Sequence, residues 1–155
     1  MNLDCNSTKG RHYIAEQNKS CEIISRKYGV DVFITPDDSA SDVDCLLYKN
    51  KKLVGIAEIK SRNMSHEQLK KFGDYLITFE KLLKGRDLSI KLNVPFLLFV
   101  SLLEDNKIIY WKITDKNGNF IVPFACKNTQ TQATCNGGNT ERFNAYIGLE
   151  SAKII

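Results

Sequence analysis

Apolar positions along this chain follow two periods, and the switches between them lay out the expected elements. Over residues 11–28, Tyr13, Gln17, Cys21, Ile24 and Tyr28 trace one stripe at α-helical spacing, and Gly29 follows as a stop. Residues 30–35 alternate as a short strand, and Pro36-Asp-Asp-Ser-Ala-Ser41 is turn chemistry. Two apolar runs, 43–48 and 53–59, flank the polar connection Lys49-Asn-Lys-Lys52 and read as a β-hairpin. Ser65-His-Glu-Gln68 has capping-box spacing and opens a second predicted helix that runs to about residue 84. Its apolar face is Leu69, Phe72, Leu76, Phe79 and Leu83, and Gly85 is its expected stop. Residues 94–103 and 107–113 are predicted strands, and 119–125 and 143–149 are expected to finish the sheet. Between them the polar stretch 127–140, with Gly137-Gly138, reads as mobile or ordered only on a ligand. No repeat or linker divides residues 1–155. One domain is expected, and the order α-β-β-β-α-β with extra C-terminal strands predicts an α/β layer with a mixed sheet flanked by helices.

The hairpin carries the candidate chemistry. Opposed residues in an antiparallel ladder have a constant index sum and share a face. A three-residue loop at 50–52 pairs Tyr48 with Val54, Leu46 with Ile56, Asp44 with Glu58 and Asp42 with Lys60. The opposite face carries Val43, Cys45, Leu47, Gly55, Ala57 and Ile59 and reads as buried. A two-residue loop without a bulge would slip this register and flip every side chain. Carboxylates on a core-like sheet are costly unless something compensates them, and a divalent cation does so. Hard cations such as Mg²⁺ take oxygen ligands, and Mn²⁺ is expected to substitute. Asp44, Glu58 and the backbone carbonyl of Ile59 are the candidate metal ligands. Lys60 projects to the side of Glu58, where it can stabilise charge on a phosphorane or orient a water. Hydrolysis of a phosphodiester is the reaction these parts suit.

Composition narrows the picture modestly. A chain of 155 residues with 43% hydrophobic content suits one sizeable core. No apolar run is long enough to span a membrane, and the N-terminus lacks a signal-peptide pattern, so a cytoplasmic location (the host cytoplasm, if phage-encoded) is expected. The five cysteines form no Cys-x-x-Cys pair, which disfavours zinc-ribbon and thioredoxin chemistry. An iron–sulfur site of one early and three clustered late cysteines would need a third late one, and only Cys126 and Cys135 are late, so reduced thiols are expected. The net charge of +4 permits a polyanionic partner, and six basic residues against three acidic ones between 70 and 91 give that partner a candidate face. His12 and His66 have no companion ligand. Trp111 reads as core or strand surface, with Tyr110, Trp111 and Lys112 as an alternative flank for nucleic acid.

Asp44, thirteen intervening residues and then Glu58-Ile-Lys60 resembles the signature of the PD-(D/E)XK nuclease superfamily, an acid on one strand and Glu-x-Lys on the next. The resemblance spans about residues 13–113, and Ser61-Arg62 continues it as in many members. The chain also resembles short nuclease-like proteins of bacteriophages and bacteria. They pair a first-helix glutamate with the motif and carry a Tyr-x-x-x-x-x-Lys helix and a Val-Pro strand, matched here by Tyr75 to Lys81 and by Val94-Pro-Phe-Leu-Leu-Phe-Val100. What the resemblance implies is a restriction-endonuclease-like fold and Mg²⁺-dependent cleavage of DNA. Catalysis would rest on Asp44, Glu58 and Lys60 with Glu16 (or Glu22) from the first helix, and Arg62 and Lys81 would face substrate phosphate. A literal Pro36-Asp37 also precedes Glu58 at an acceptable spacing, but Asp37 has no register to Glu58, so pairing arithmetic favours Asp44. Asp42 is a partner of Lys60 or an outer ligand. A homodimer would allow two cuts. The absence of a zinc finger or helix-turn-helix points to structure-selective or non-specific cutting. The alternatives are a catalytically silent nuclease-fold DNA-binding accessory protein and a hydrolase of small phosphate esters.

Overall fold

A computed structural model of the chain describes residues 7–36, 41–131 and 140–155. Helix α1 (Thr8–Tyr28) starts where the Ser7 hydroxyl accepts the Gly10 N–H at 2.9 Å and ends at Gly29, whose φ of 61° is left-handed. The stripe read from the sequence is its buried face, with Gln17, Cys21 and Ile24 inside. Strands β1 (Asp31–Ile34), β2 (Cys45–Lys49) and β3 (Lys52–Arg62) form an antiparallel meander. After α2 (His66–Phe72), β4 (Asp74–Thr78) and α3 (Phe79–Leu92), the chain returns as β5 (Phe96–Leu102), parallel to β3. Strand β6 (Lys107–Lys112) pairs back on β5; β7 (Phe124–Thr131) and β8 (Thr140–Gly148) pair with each other, and β9 (Lys153–Ile154) closes on β6. The result is a mixed six-stranded sheet in the order β1-β2-β3-β5-β6-β9 and a separate three-stranded sheet, β4-β8-β7. This arrangement is compatible with a restriction-endonuclease-like fold. No helix among the described residues is long and apolar enough to cross a membrane.

The hairpin reaches its expected register by a different route. Its turn holds two residues, Asn50 and Lys51, both left-handed at φ 51° and 64°, the geometry of a tight hairpin turn. A bulge between Leu47 and Tyr48 then restores the lost residue, so Tyr48 meets Leu53 rather than Val54, while Leu46 meets Ile56 and Cys45 meets Ala57. Of the face expected to be buried, Cys45, Leu47, Ala57 and Ile59 pack toward α1. Val43 is buried too, but with the cluster on the other side of the sheet.

The second predicted helix is two helices with a strand between them. Gly73, at φ 82°, ends α2, and Asp74-Tyr-Leu-Ile-Thr78 then alternates half-buried and buried, with Tyr75 and Ile77 in the core. Phe72, placed on the apolar face by helical spacing, is 70% exposed. Strand β4 pairs with β8, so the late strands build a second sheet instead of extending the first, and residues 127–131 belong to β7. The rest of the polar stretch, 132–139, lies outside the described residues. Gly85 does not stop α3, because it is a packing glycine. A Cβ there would stand 2.2 Å from the ring of Phe96, itself 1% exposed on β5.

Gly85→Ala therefore tests this packing with an inverted sign. On an open helix the change would add about 1 kcal/mol of stability. Here, overpacking against Phe96 is expected to give a net loss of about 1–3 kcal/mol in urea unfolding.

Candidate active site

Strand β3 outruns β2. Cys45, the first residue of β2, pairs with Ala57, so beyond that point β3 has β5 on one side and an open edge on the other. Unpaired backbone groups on such an edge need partners. Two side chains supply them for Ile59. Asp44 Oδ2 accepts the Ile59 N–H at 2.7 Å, and the Tyr13 hydroxyl of α1 donates to the Ile59 carbonyl at 3.2 Å. Asp44 is fixed in turn by its own backbone: its N–H donates to the Ala57 carbonyl at 3.0 Å, and the Thr35 N–H donates to its carbonyl at 2.9 Å. Although it lies outside the regular ladder, Asp44 is thus tied to the strand that carries Glu58, and one oxygen of its carboxylate stays free of the backbone.

Glu58 is 1% exposed. Its Oε1 lies 2.7 Å from Lys60 Nζ and 3.3 Å from Lys81 Nζ, while Oε2 has no hydrogen-bond partner. An uncompensated carboxylate at such depth would cost several kcal/mol, about the scale seen when one partner of a buried ion pair is removed. The neighbours register the same tension. Burial, followed by the charge of Glu58, pushes the Asp44 carboxyl above the usual carboxylate range, against the opposing pull of Lys60, the Ile59 N–H and Lys81. Burial alone would lower the pKa of the Lys60 ammonium, but Glu58, Tyr13 and Asp44 together outweigh it, and the net shift is upward.

The expected site residues divide clearly. Asp44, Glu58, Ile59, Lys60 and Lys81 come together, and Lys81, whose side chain is 36% exposed, touches Glu58 directly. Arg62 lies at the end of β3, donating to the Ser61 carbonyl at 2.9 Å with its guanidinium 5.6 Å from the centre of the Tyr75 ring. Glu16 is half-buried on α1 and Glu22 is exposed; neither forms a three-acid group with Asp44 and Glu58, since no such cluster occurs among the described residues. Asp42 is exposed, and Asp37 lies outside the described residues. Helix α1 instead sends in Tyr13; one turn on, Gln17 is 4% exposed with an unpartnered Oε1. Both were on the stripe assigned to the core, so only their polar atoms hinted at another role.

The basic residues between 70 and 91 are divided between α2 and α3. Lys70 and Lys71 end α2, Lys84 pairs with Glu80 at 3.2 Å, and Arg86 pairs with Asp87 at 3.0 Å. Positive charge gathers instead in a cleft of about 630 Å³ beside Glu58, lined in part by Lys60, Arg62, Tyr75 and Lys81. Trp111 is fully buried, its Nε1–H donating to the Gly148 carbonyl at 3.0 Å, and serves the core.

The donor set suits a hard cation. The unpartnered Oε2 of Glu58, the second oxygen of Asp44 and the Ile59 carbonyl are all oxygens, and two carboxylates leave the remaining positions to water and substrate phosphate.

A parallel β3–β5 pair with Glu58-Ile-Lys60 at its open edge and an acid brought across from the preceding strand is the frame of a PD-(D/E)XK-type nuclease fold. The chain belongs to the family described as "Phage putative PDDEXK endonuclease", whose model matches residues 14–142 of the 155. No curated protein matches it.

The raised pKa of Asp44 makes stability depend on pH in a defined direction. A carboxyl whose folded pKa exceeds the unfolded value, about 3.9, favours folding most below that value and loses the contribution as pH rises through the folded pKa. In chelator-containing buffer, the stability of wild type relative to Asp44→Asn is expected to fall as pH rises from about 4 and then level off. Urea unfolding of both proteins across that range measures it, and a pH-independent difference would contradict the placement of Asp44.

Proposed function

We propose that this chain is a Mg²⁺-dependent DNA nuclease (Mn²⁺ substituting) that hydrolyses phosphodiester bonds by structure-selective or non-specific cutting. The observation that carries the reading is Glu58, a carboxylate 1% exposed with one oxygen on two ammonium groups and the other unpartnered, beside an Asp44 held by the backbone of the same strand. A purely structural ion pair has no need of an unsatisfied oxygen at that depth.

Asp44, Glu58 and the Ile59 carbonyl would hold the cation, which when bound would polarise the phosphoryl group and lower the pKa of an attacking water. Tyr13, now donating to the Ile59 carbonyl, fixes that oxygen's direction on the open edge. Lys60, held on Glu58 at 2.7 Å, faces the site, and its ammonium stabilises negative charge developing on the phosphate oxygens. Lys81 and Arg62, on the cleft wall, neutralise the phosphates of the bound strand. Glu16 is assigned no step, because α1 reaches the strand edge through Tyr13.

Cleavage of linear duplex, single-stranded, circular and four-way-junction DNA tests this. Activity is expected with Mg²⁺ or Mn²⁺ and none in EDTA. Glu58→Ala is expected to abolish it, and Lys60→Ala to lower it by roughly two to four orders of magnitude. Cutting that survives Glu58→Ala, or persists in EDTA, would refute the assignment. The ranking of substrates would then separate junction, end and internal cleavage.

A further inference from the structure

The cleft beside Glu58 has a second wall that no motif announced. Its near side is the end of β3 and the start of α3, carrying Lys60, Arg62 and Lys81; its far side is the β7–β8 hairpin, which contributes Gln130 and Arg142. Thr78, the last residue of β4, pairs with Asn144 of β8. Arg142, two residues earlier on β8, therefore continues the face that carries Asn144 past the end of β4, where the chain turns into α3. No carboxylate lines this cleft, whereas four cationic side chains do. Of those four, Lys60 and Lys81 are already on Glu58, and Arg62 lies against the Tyr75 ring. Arg142 is exposed and has no ion-pair partner among the described residues. At about 630 Å³ the cleft has the size of a small-molecule pocket, with room for a short length of one strand.

We infer that the second sheet is a substrate wall: Arg142 binds a backbone phosphate of the DNA strand being cut, across the cleft from Arg62 and Lys81. This rests on the nuclease reading for the identity of the strand, but not on turnover. A guanidinium offers the forked donors that match a phosphate. Pairing of β8 with β4 positions Arg142, so the strand that broke the predicted second helix also supplies the platform for the far wall.

Metal-free binding isolates this contact from catalysis. Fluorescence anisotropy of a labelled single-stranded oligodeoxynucleotide in EDTA, titrated with the full chain over a range of salt concentrations, would compare wild type with Arg142→Ala, Arg142→Lys and Arg86→Ala. Arg142→Ala is expected to weaken binding roughly tenfold at low salt and to reduce the slope of log K against log salt by about 0.7, the value for one phosphate contact on a single strand. Arg142→Lys is expected to keep the slope, because the charge remains. Arg86, paired with Asp87 outside the cleft lining, is the control and should change neither quantity. Wild-type affinity and slope in Arg142→Ala would overturn the inference even if cleavage depends on Glu58. Weakened binding by Arg142→Ala in a protein that never cuts would retain the wall and sink the nuclease reading instead. The exposed position of Arg142 leads us to expect an unchanged melting temperature, and the Lys variant preserves the test should the Ala variant fold poorly.

Discussion

Everything around the site follows from one buried carboxylate. Glu58 sits on a strand flanked on both faces by apolar packing, and its charge is tolerable there only because ammonium groups arrive from two different elements. Lys60 comes from the same strand, two residues on, so its delivery is automatic once β3 is extended. Lys81 comes from α3, and its delivery depends on how α3 is seated. That seating is set by Gly85 against Phe96 and by β4, which turns the chain back on itself before the helix begins. A local charge requirement thus reaches through the helix into the second sheet.

The compensation is deliberately incomplete in a physical sense. Both ammoniums converge on Oε1 and leave Oε2 bare, and Asp44 uses one oxygen on the Ile59 N–H and keeps the other. Burial, and after it the nearby charge of Glu58, is why the Asp44 proton is held more tightly than usual. Under the proposed function a bound cation would relieve this tension, so the arrangement that weakens the free protein would favour metal binding.

The sequence was informative where one constraint acted alone. The α1 stripe and the two apolar arms of the hairpin were readable, since burial on a sheet or helix face imposes a fixed period, whereas Asp44, expected opposite Glu58 in the ladder, stands just before β2 and bonds the Ile59 N–H. The hairpin register survived although its loop was misjudged, because the bulge at Leu47 and Tyr48 cancels the shorter turn. Legibility failed between 69 and 85. There Leu69, Phe72, Leu76, Phe79 and Leu83 satisfy a helical period by accident, while the buried hydrophobic residues are Leu69, Tyr75, Ile77 and Leu82. Competing periods over five residues cannot be separated without knowing that β8 waits to pair with β4. Gly85 misled for a related reason: a glycine that makes room for an aromatic ring 11 residues on looks the same as one that ends a helix. Tyr13 and Arg142 were invisible as site residues because long-range folding alone brings them to the strand edge and the cleft.

The account stands or falls on whether Glu58 and Asp44 bind a cation, which can be measured without any substrate. Calorimetric titration of the chain with Mn²⁺ should reveal a saturable site in the wild type, and that site should be lost or greatly weakened in Glu58→Gln. Equal Mn²⁺ binding by the two proteins, or no saturable binding by the folded wild type, would contradict it and leave Glu58 as a structural ion pair.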